Sequence, residues 1–66
     1  MNKTESYLRQ RYEATRWPYY GLNETKFIVG ESYTNDIKEL RAKGMVQPVP
    51  GINGWLIQLI NIQLWK

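Results

Sequence analysis

The hydrophobic positions in the last third of the chain are arranged in two runs that predict a β-hairpin. Residues 46–52 and 55–60 flank the dipeptide Asn53-Gly54. A two-residue type I′ turn requires positive φ at both central positions, and Asn and Gly tolerate this best. With this loop, one face of the hairpin is predicted to lie on the core. That face carries Val46, Ile52, Trp55, Ile57 and Leu59.

Two prolines restrict the first strand of this hairpin. Pro48 and Pro50 cannot donate ladder hydrogen bonds, so their strand is expected at an edge of the sheet. In the predicted register Pro50 faces Ile57 and Pro48 faces Leu59. A one-residue slip, or a longer loop starting at Pro50, would exchange the two faces.

An amphipathic pattern over residues 32–43 predicts a helix that ends at Gly44. Tyr33, Ile37, Leu40 and Gly44 recur at intervals of four, three and four, which defines an inner face. Gly44 is suited to a left-handed C-cap, and Ser32 or Thr34 is the predicted N-cap. The predicted outward residues are Thr34, Asn35, Lys38, Arg41 and Ala42.

The N-terminal segment predicts another helix, which starts at Asn2 or Thr4 and runs to about Trp17, because Pro18 follows. Asn2 with Glu5 three residues later resembles a capping box. The predicted core stripe of this helix consists of Tyr7, Leu8, Tyr12 and Thr15.

The sequence patterns in the middle of the chain are shorter. Residues 17–22 are aromatic and bounded by Pro and Gly, which favours a short extended segment or a turn; an interaction patch is the alternative role. Asn23 can cap a short helix over residues 24–29, with Phe27 and Ile28 buried and Gly30 at its end. A strand over residues 26–29 is the alternative.

The C-terminal tail breaks the alternation of the hairpin. Trp55, Ile57 and Leu59 share one phase, whereas the apolar residues after them share the other. A regular strand cannot bury both sets on one face, so a bulge or bend is predicted near residues 59–61. The tail then covers the first helix of its own domain, which we favour, or pairs with another molecule.

These elements predict one α+β domain over residues 1–66, in which two to three helices precede a C-terminal hairpin. At 66 residues its core must be dense, and five Tyr, three Trp and one Phe supply the large rings. The chain has no His and no Cys, its carboxylates are dispersed, and it has no glycine-rich phosphate loop. We therefore expect no enzymatic activity, no cofactor and no metal.

Charge is unevenly distributed around a net value of +3. The N-terminal segment carries several arginines, whereas residues 45–65 carry no charge at all. A hairpin that contacts DNA usually carries Lys or Arg for phosphates, so the absence of charge here counts against a direct contact of this hairpin with DNA. No stretch is long and apolar enough for a signal peptide or a membrane span, which predicts no membrane association and a cytoplasmic location.

The segment Asp36-Ile-Lys-Glu-Leu-Arg-Ala-Lys-Gly-Met-Val46, followed by a hairpin, resembles the end of small winged helix-turn-helix domains of phages and mobile elements. The resemblance covers about residues 24–60. It implies a DNA-binding regulator of transcription whose helix over residues 32–43 enters the major groove with its N-terminal half. The positions that match are Ser32, Tyr33, Thr34, Asn35 and Lys38, with Arg41 near a phosphate.

Double-stranded DNA is therefore the first expected partner, and Arg9, Arg11, Arg16 and Lys43 are candidates for additional phosphate contacts. Because one copy offers few cations, tight binding would require a homodimer or adjacent copies. The alternative is a small interaction or inhibitor module that docks on a host protein through its apolar hairpin and tail, since Trp-rich, uncharged surfaces are typical of interfaces.

Overall fold

The computed structural model describes residues 2–66 and contains three α-helices packed on one three-stranded antiparallel sheet. The elements are α1 (Lys3–Thr15), β1 (Tyr19–Gly21), α2 (Leu22–Val29), α3 (Tyr33–Ala42), β2 (Val46–Gly51) and β3 (Gly54–Leu59). Short 3₁₀ turns occupy Gly30–Ser32 and Ile62–Leu64. The sheet order is β1-β3-β2. The predicted α+β class is confirmed, and the arrangement is compatible with a winged-helix-like fold.

Helix α1 begins as predicted. The Oδ1 atom of Asn2 accepts a hydrogen bond from the backbone N–H of Glu5 at 2.7 Å, which satisfies one free donor of the first turn. The helix ends at Thr15, two residues earlier than predicted, because Arg16 adopts left-handed backbone angles (φ 58°). Its N–H donates to the carbonyl of Tyr12 at 2.7 Å. Thr15 is exposed rather than part of the core stripe.

The aromatic segment after α1 contains a short strand, as the extended alternative predicted. Strand β1 pairs antiparallel with β3, and Tyr20 lies opposite Ile57. The backbone N–H of Leu59 donates to the carbonyl of Pro18 at 2.8 Å. The ladder therefore extends one residue before β1.

The segment forms helix α2, as predicted, and not the alternative strand. The buried face of α2 differs from the prediction. Phe27 is 89% exposed and Ile28 is half exposed, whereas Thr25 and Val29 are buried. Thr25 and Val29 lie one turn apart on the same side, and Phe27 points away from them. The helix starts at Leu22, with Gly21 rather than Asn23 as its N-cap. The apolar character of the residues alone therefore predicted the wrong buried face for α2.

Helix α3 ends as predicted, in a Schellman motif. The N–H of Met45 donates to the carbonyl of Leu40 at 2.9 Å, and the N–H of Gly44 donates to Arg41 at 3.0 Å. Gly44 has φ +70°, which a side chain would disfavour. At the other end, Ser32 precedes the helix without making a side-chain capping bond, so the predicted cap is wrong.

The hairpin is present, but its turn lies one residue earlier than predicted. Gly51 pairs with Gly54, which leaves Ile52 and Asn53 as the loop. Neither loop residue has positive φ, so the turn is not type I′. Residues that flank a two-residue loop form a hydrogen-bonded pair, and such pairs alternate along the ladder. The predicted register would have placed both prolines at hydrogen-bonded positions, whereas the observed one turns their nitrogens outward.

The tail folds back on its own domain, as we favoured, and bends where the alternation changes phase. Asn61 adopts left-handed angles (φ 51°) and ends the extended segment. Trp65 follows the 3₁₀ turn and is only 4% exposed. Its indole Nε1–H donates to the carbonyl of Met45 at 3.0 Å.

The buried side chains form one cluster between the helices and one face of the sheet. Its members are Leu8, Tyr12, Tyr20, Val29, Tyr33, Leu40, Met45, Val46, Ile57, Leu59 and Trp65. Two residues predicted on the core face of the hairpin are exposed instead: Ile52 lies in the turn, and Trp55 is 57% exposed near the tip. The sheet thus buries only the half of the hairpin next to α3.

Candidate nucleic-acid interface

The outer face of α3 carries four of the six predicted DNA-binding residues. Thr34, Lys38 and Arg41 are exposed and follow one another at helical intervals of four and three, so they lie on one stripe. Asn35 is exposed beside them. This stripe, with Asn35, is called the α3 face below.

The two acidic residues of α3 contact the start of α1, Asp36 as a buried residue and Glu39 as an exposed one. The Oδ2 atom of Asp36 accepts hydrogen bonds from the backbone N–H of Thr4 at 3.2 Å and from its hydroxyl at 2.9 Å. The Oε2 atom of Glu39 accepts from Nδ2 of Asn2 at 3.4 Å. Both carboxylates therefore face the N-terminus of α1. No local sequence pattern predicts this contact, because Thr4 and Asp36 lie 32 residues apart along the chain.

The cations of α3 form no ion pair with a carboxylate in the part of the chain that the structure describes. Across residues 2–66 the one salt bridge joins Arg9 to Glu5, so Lys38, Arg41 and Lys43 have no ion-pair partner there. Lys43 lies at the C-terminal end of α3 and is exposed. The α3 face consequently carries positive charge and neutral hydrogen-bonding groups together.

Ser32 and Tyr33 do not lie on this face, which corrects two of the predicted site residues. Tyr33 is 6% exposed because it occupies the inner side of the first turn of α3. Its hydroxyl, like that of Ser32, is buried without a hydrogen-bond partner among residues 2–66. Burial also raises the pKa of Tyr33 above its ordinary value of 10.0. In the observed conformation neither hydroxyl is accessible to a base edge.

Arg9 is also corrected, because its guanidinium is used inside the domain. Its Nε donates to Oε2 of Glu5 at 2.9 Å, and its Nη2 donates to the carbonyl of Leu64 at 2.8 Å. The guanidinium carbon lies 5.3 Å from the ring centre of Trp65, within cation–π range. Arg9 therefore holds the tail against α1 and is a poor candidate for a phosphate contact.

The remaining arginines of the N-terminal segment are exposed but are not joined to α3. Arg16 places its guanidinium 5.4 Å from the ring centre of Tyr12. Arg11 lies near Trp17 and Tyr19 in a cleft between α1 and β1. No side-chain hydrogen bond or ion pair among residues 2–66 connects either arginine with the α3 face.

The tip of the hairpin forms a separate, uncharged surface. Ile52 is fully exposed and Trp55 is more than half exposed. The tip carries no Lys or Arg, so it offers no cation to a phosphate.

Within the described part of the chain, no group of three or more His, Cys, Asp or Glu side chains could hold a metal ion. None of the helices over residues 2–66 combines the length and the apolar composition needed to cross a membrane. No family model, curated protein or solved structure matches the chain.

Proposed function

We propose that the protein binds duplex DNA through the α3 face. The observation that carries this proposal is the arrangement of charge on α3: Asp36 is buried against Thr4 and the exposed Glu39 contacts Asn2, whereas Lys38 and Arg41 are exposed and have no ion-pair partner among residues 2–66. Such a helix presents a cationic outer stripe although its sequence is nearly neutral. The order of helices and strands, compatible with a winged-helix-like domain, adds support.

Each residue of the α3 face has a distinct role in this proposal. Lys38 and Arg41 contact phosphates, which supplies affinity that does not depend on sequence. Asn35 contacts base edges in the major groove, since its amide can form two hydrogen bonds with adenine. Thr34 offers a hydroxyl and a methyl group to neighbouring bases. The protein would then act as a small cytoplasmic regulator of phage or mobile-element type.

The few cations of one copy limit its affinity. Lys38 and Arg41, with Lys43 at the end of α3, provide at most three phosphate contacts from this helix. Tight binding would therefore require a dimer or copies on adjacent sites.

The proposal is tested by measuring affinity for a fluorescent duplex at several salt concentrations. Lys38→Gln combined with Arg41→Gln should weaken binding and lower the slope of log K against log salt by about 1.8, because each phosphate contact contributes about 0.9. The control combines Lys26→Gln with Lys66→Gln, which removes the same net charge from exposed positions outside α3. Equal losses for the two double variants would show that only net charge matters and would contradict the α3 face.

A second candidate is a protein-interaction module that docks through the hairpin tip, and the exposure of Ile52 and Trp55 favours it. The tail contributes less to such a docking surface than predicted, because Trp65 is buried inside the domain. If the tip mediates a homodimer, Ile52→Ser with Trp55→Ser should convert dimer into monomer in sedimentation. A wild-type chain that is monomeric at all concentrations would remove the homodimer form of this candidate.

A further inference from the structure

A cleft of about 360 Å³ lies between α1, β1 and the start of α2. Four aromatic side chains line it together with polar groups, and it is called the aromatic cleft below. The lining includes Tyr7, Arg11, Trp17, Tyr19, Tyr20 and Glu24. None of them belongs to the α3 face.

Two of these rings, Trp17 and Tyr19, are adjacent, and neither belongs to the buried core cluster. Trp17 is 62% exposed, although indole rings are usually well buried in small domains. Its ring centre lies 5.9 Å from that of Tyr19, with the ring planes inclined by 58°. The ring of Tyr19 is half-buried. Trp and Tyr side chains are enriched where proteins bind partners.

The hydrogen-bonding groups of the aromatic cleft divide into satisfied and free ones. The hydroxyl of Tyr20 shares a hydrogen bond with Oγ1 of Thr15 at 3.0 Å, and the hydroxyl of Tyr19 accepts from Gln58 at 3.4 Å. Among residues 2–66, Trp17 Nε1 and the Arg11 guanidinium donate no hydrogen bond to another side chain or to the backbone. Indole and guanidinium groups can only donate. The cleft therefore offers ring faces and unused donors.

We propose that the aromatic cleft binds a proline-rich segment of a partner protein in the polyproline II conformation. This conformation has no internal hydrogen bonds, so its carbonyl oxygens remain free to accept, and proline contributes no N–H donor. Such a ligand can accept hydrogen bonds from the two unused donors of the cleft, Trp17 Nε1 and the Arg11 guanidinium. Proline rings pack well on aromatic faces, and aromatic-lined grooves are a recurring way to recognise such segments.

Other peptide conformations fit the same groups less well. A helix satisfies its own carbonyls and has none to offer to Trp17 and Arg11 along its length. An added strand would also bring N–H groups that need acceptors, and Glu24 is the one carboxylate that lines the cleft. The polyproline II segment is therefore the ligand that uses the observed donors without leaving its own groups unpaired.

The test is an NMR titration of the ¹⁵N-labelled full chain with acetyl-decaproline amide. The indole N–H signal of Trp17 should shift progressively with peptide. The signal of Trp65 should stay fixed, because its N–H already donates to Met45 inside the domain. A glycine-serine peptide of the same length offers carbonyls without the preformed conformation and should bind at least about tenfold more weakly.

Two exposed tryptophans provide a matched pair of variants. Trp17→Ala should weaken decaproline binding about tenfold or more, as expected for an aromatic anchor. Trp55→Ala removes an equally exposed indole outside the cleft and should change affinity by less than about twofold. Trp17→Phe keeps an aromatic ring but loses the donor, so it should lie between the two.

Three outcomes would overturn the proposal: no shift of Trp17 at millimolar decaproline, equal losses for Trp17→Ala and Trp55→Ala, or equal binding of the glycine-serine peptide. A Trp17 shift that follows protein concentration without peptide would show that a second copy occupies the cleft, which also contradicts it. None of these results depends on DNA binding by the α3 face.

Discussion

The carboxylate of Asp36 in α3 caps the first turn of α1 by accepting two hydrogen bonds from Thr4. Both residues are buried. A negative charge at this position also complements the positive end of the helix dipole. The contact fixes how α3 lies against α1 and, at the same time, keeps this carboxylate off the α3 face.

Removing either partner should therefore destabilise the whole domain. Asp36→Ala should lower the free energy of unfolding by about 2 kcal/mol, because it leaves the buried donors of Thr4 unpaired. Thr4→Val, which loses only the hydroxyl, should cost about 1 kcal/mol. Urea unfolding of the single and double variants tests this. If the two costs simply add, the two side chains do not interact in solution and the prediction is wrong.

Tyr33 provides a test of the corrected interface. Its buried hydroxyl has no partner among residues 2–66, so Tyr33→Phe should change stability at neutral pH by less than about 0.5 kcal/mol or raise it. DNA affinity should also be unchanged. A clear loss of DNA binding by a folded Tyr33→Phe variant would show that the hydroxyl reaches DNA after all.

The raised pKa of Tyr33 also predicts a pH dependence. The unfolded chain releases this proton near pH 10.0, whereas the folded chain holds it to higher pH. The unfolded state thus binds fewer protons above that pH, and the stability contributed by the neutral tyrosine is lost as pH rises through its folded pKa. The difference in unfolding free energy between wild type and Tyr33→Phe should consequently shift against the wild type on going from about pH 8 to about pH 11. A constant difference would contradict burial of the phenol.

The hairpin turn can be located by two substitutions. A Cβ atom at Gly51 would lie 2.7 Å from the carbonyl oxygen of Gly54 and 2.9 Å from Cγ of Leu56. Gly51→Ala should therefore cost about 1–3 kcal/mol through overpacking against backbone. Asn53→Ala should cost less than about 0.5 kcal/mol, because Asn53 does not have positive φ. Thermal unfolding that ranks these variants in the opposite order would favour the type I′ turn at Asn53-Gly54.

The tail should be essential for stability. Trp65→Ala should cost about 3–5 kcal/mol, since it removes a buried indole, and deletion of residues 61–66 should unfold the domain. Leu64→Ala is the control, because this neighbouring side chain is exposed and should cost less than about 1 kcal/mol. Circular dichroism and sedimentation of the truncated chain give the answer. A folded truncated monomer would show that the tail is not part of the core.

Base recognition should depend on Asn35 rather than on the cations beside it. Asn35→Ala should reduce the preference for the best duplex over a mismatched one by about 1–3 kcal/mol, while nonspecific affinity stays nearly constant. Asn23→Ala removes an exposed amide outside the α3 face and serves as the control. Uniform weakening on every duplex would mean that Asn35 contacts only the DNA backbone.

The sequence predicted the elements well where a residue type imposes local geometry. Asn2 capped α1, Gly44 ended α3, and the change of phase after Leu59 located the bend in the tail. These features depend on hydrogen bonds or backbone angles within a few residues. They can be inferred without knowledge of the tertiary structure.

The errors arose where distant parts of the chain decide the outcome. Phe27 is exposed because α2 is oriented by Thr25 and Val29, and its apolar character alone could not show this. The inward position of Asp36 depends on Thr4, which lies in another helix. The Asn-Gly pattern predicts a turn one residue too late, because Pro48 and Pro50 favour the register in which neither has to donate a ladder hydrogen bond. On α3, the exposure of Thr34, Asn35, Lys38 and Arg41 follows from the amphipathic pattern. The burial of Tyr33 and the internal contacts of Arg9 depend on the tertiary structure.

The outward nitrogens of Pro48 and Pro50 have a consequence for the behaviour of the protein at high concentration. Strand β2 lies at an edge of the sheet, and an edge normally offers alternating N–H and C=O groups on which another strand can assemble. Here the two prolines remove successive donors from that edge, so a foreign strand finds acceptors without the matching donors. Fibril growth by addition of strands is thereby obstructed on this side of a small, strongly aromatic domain.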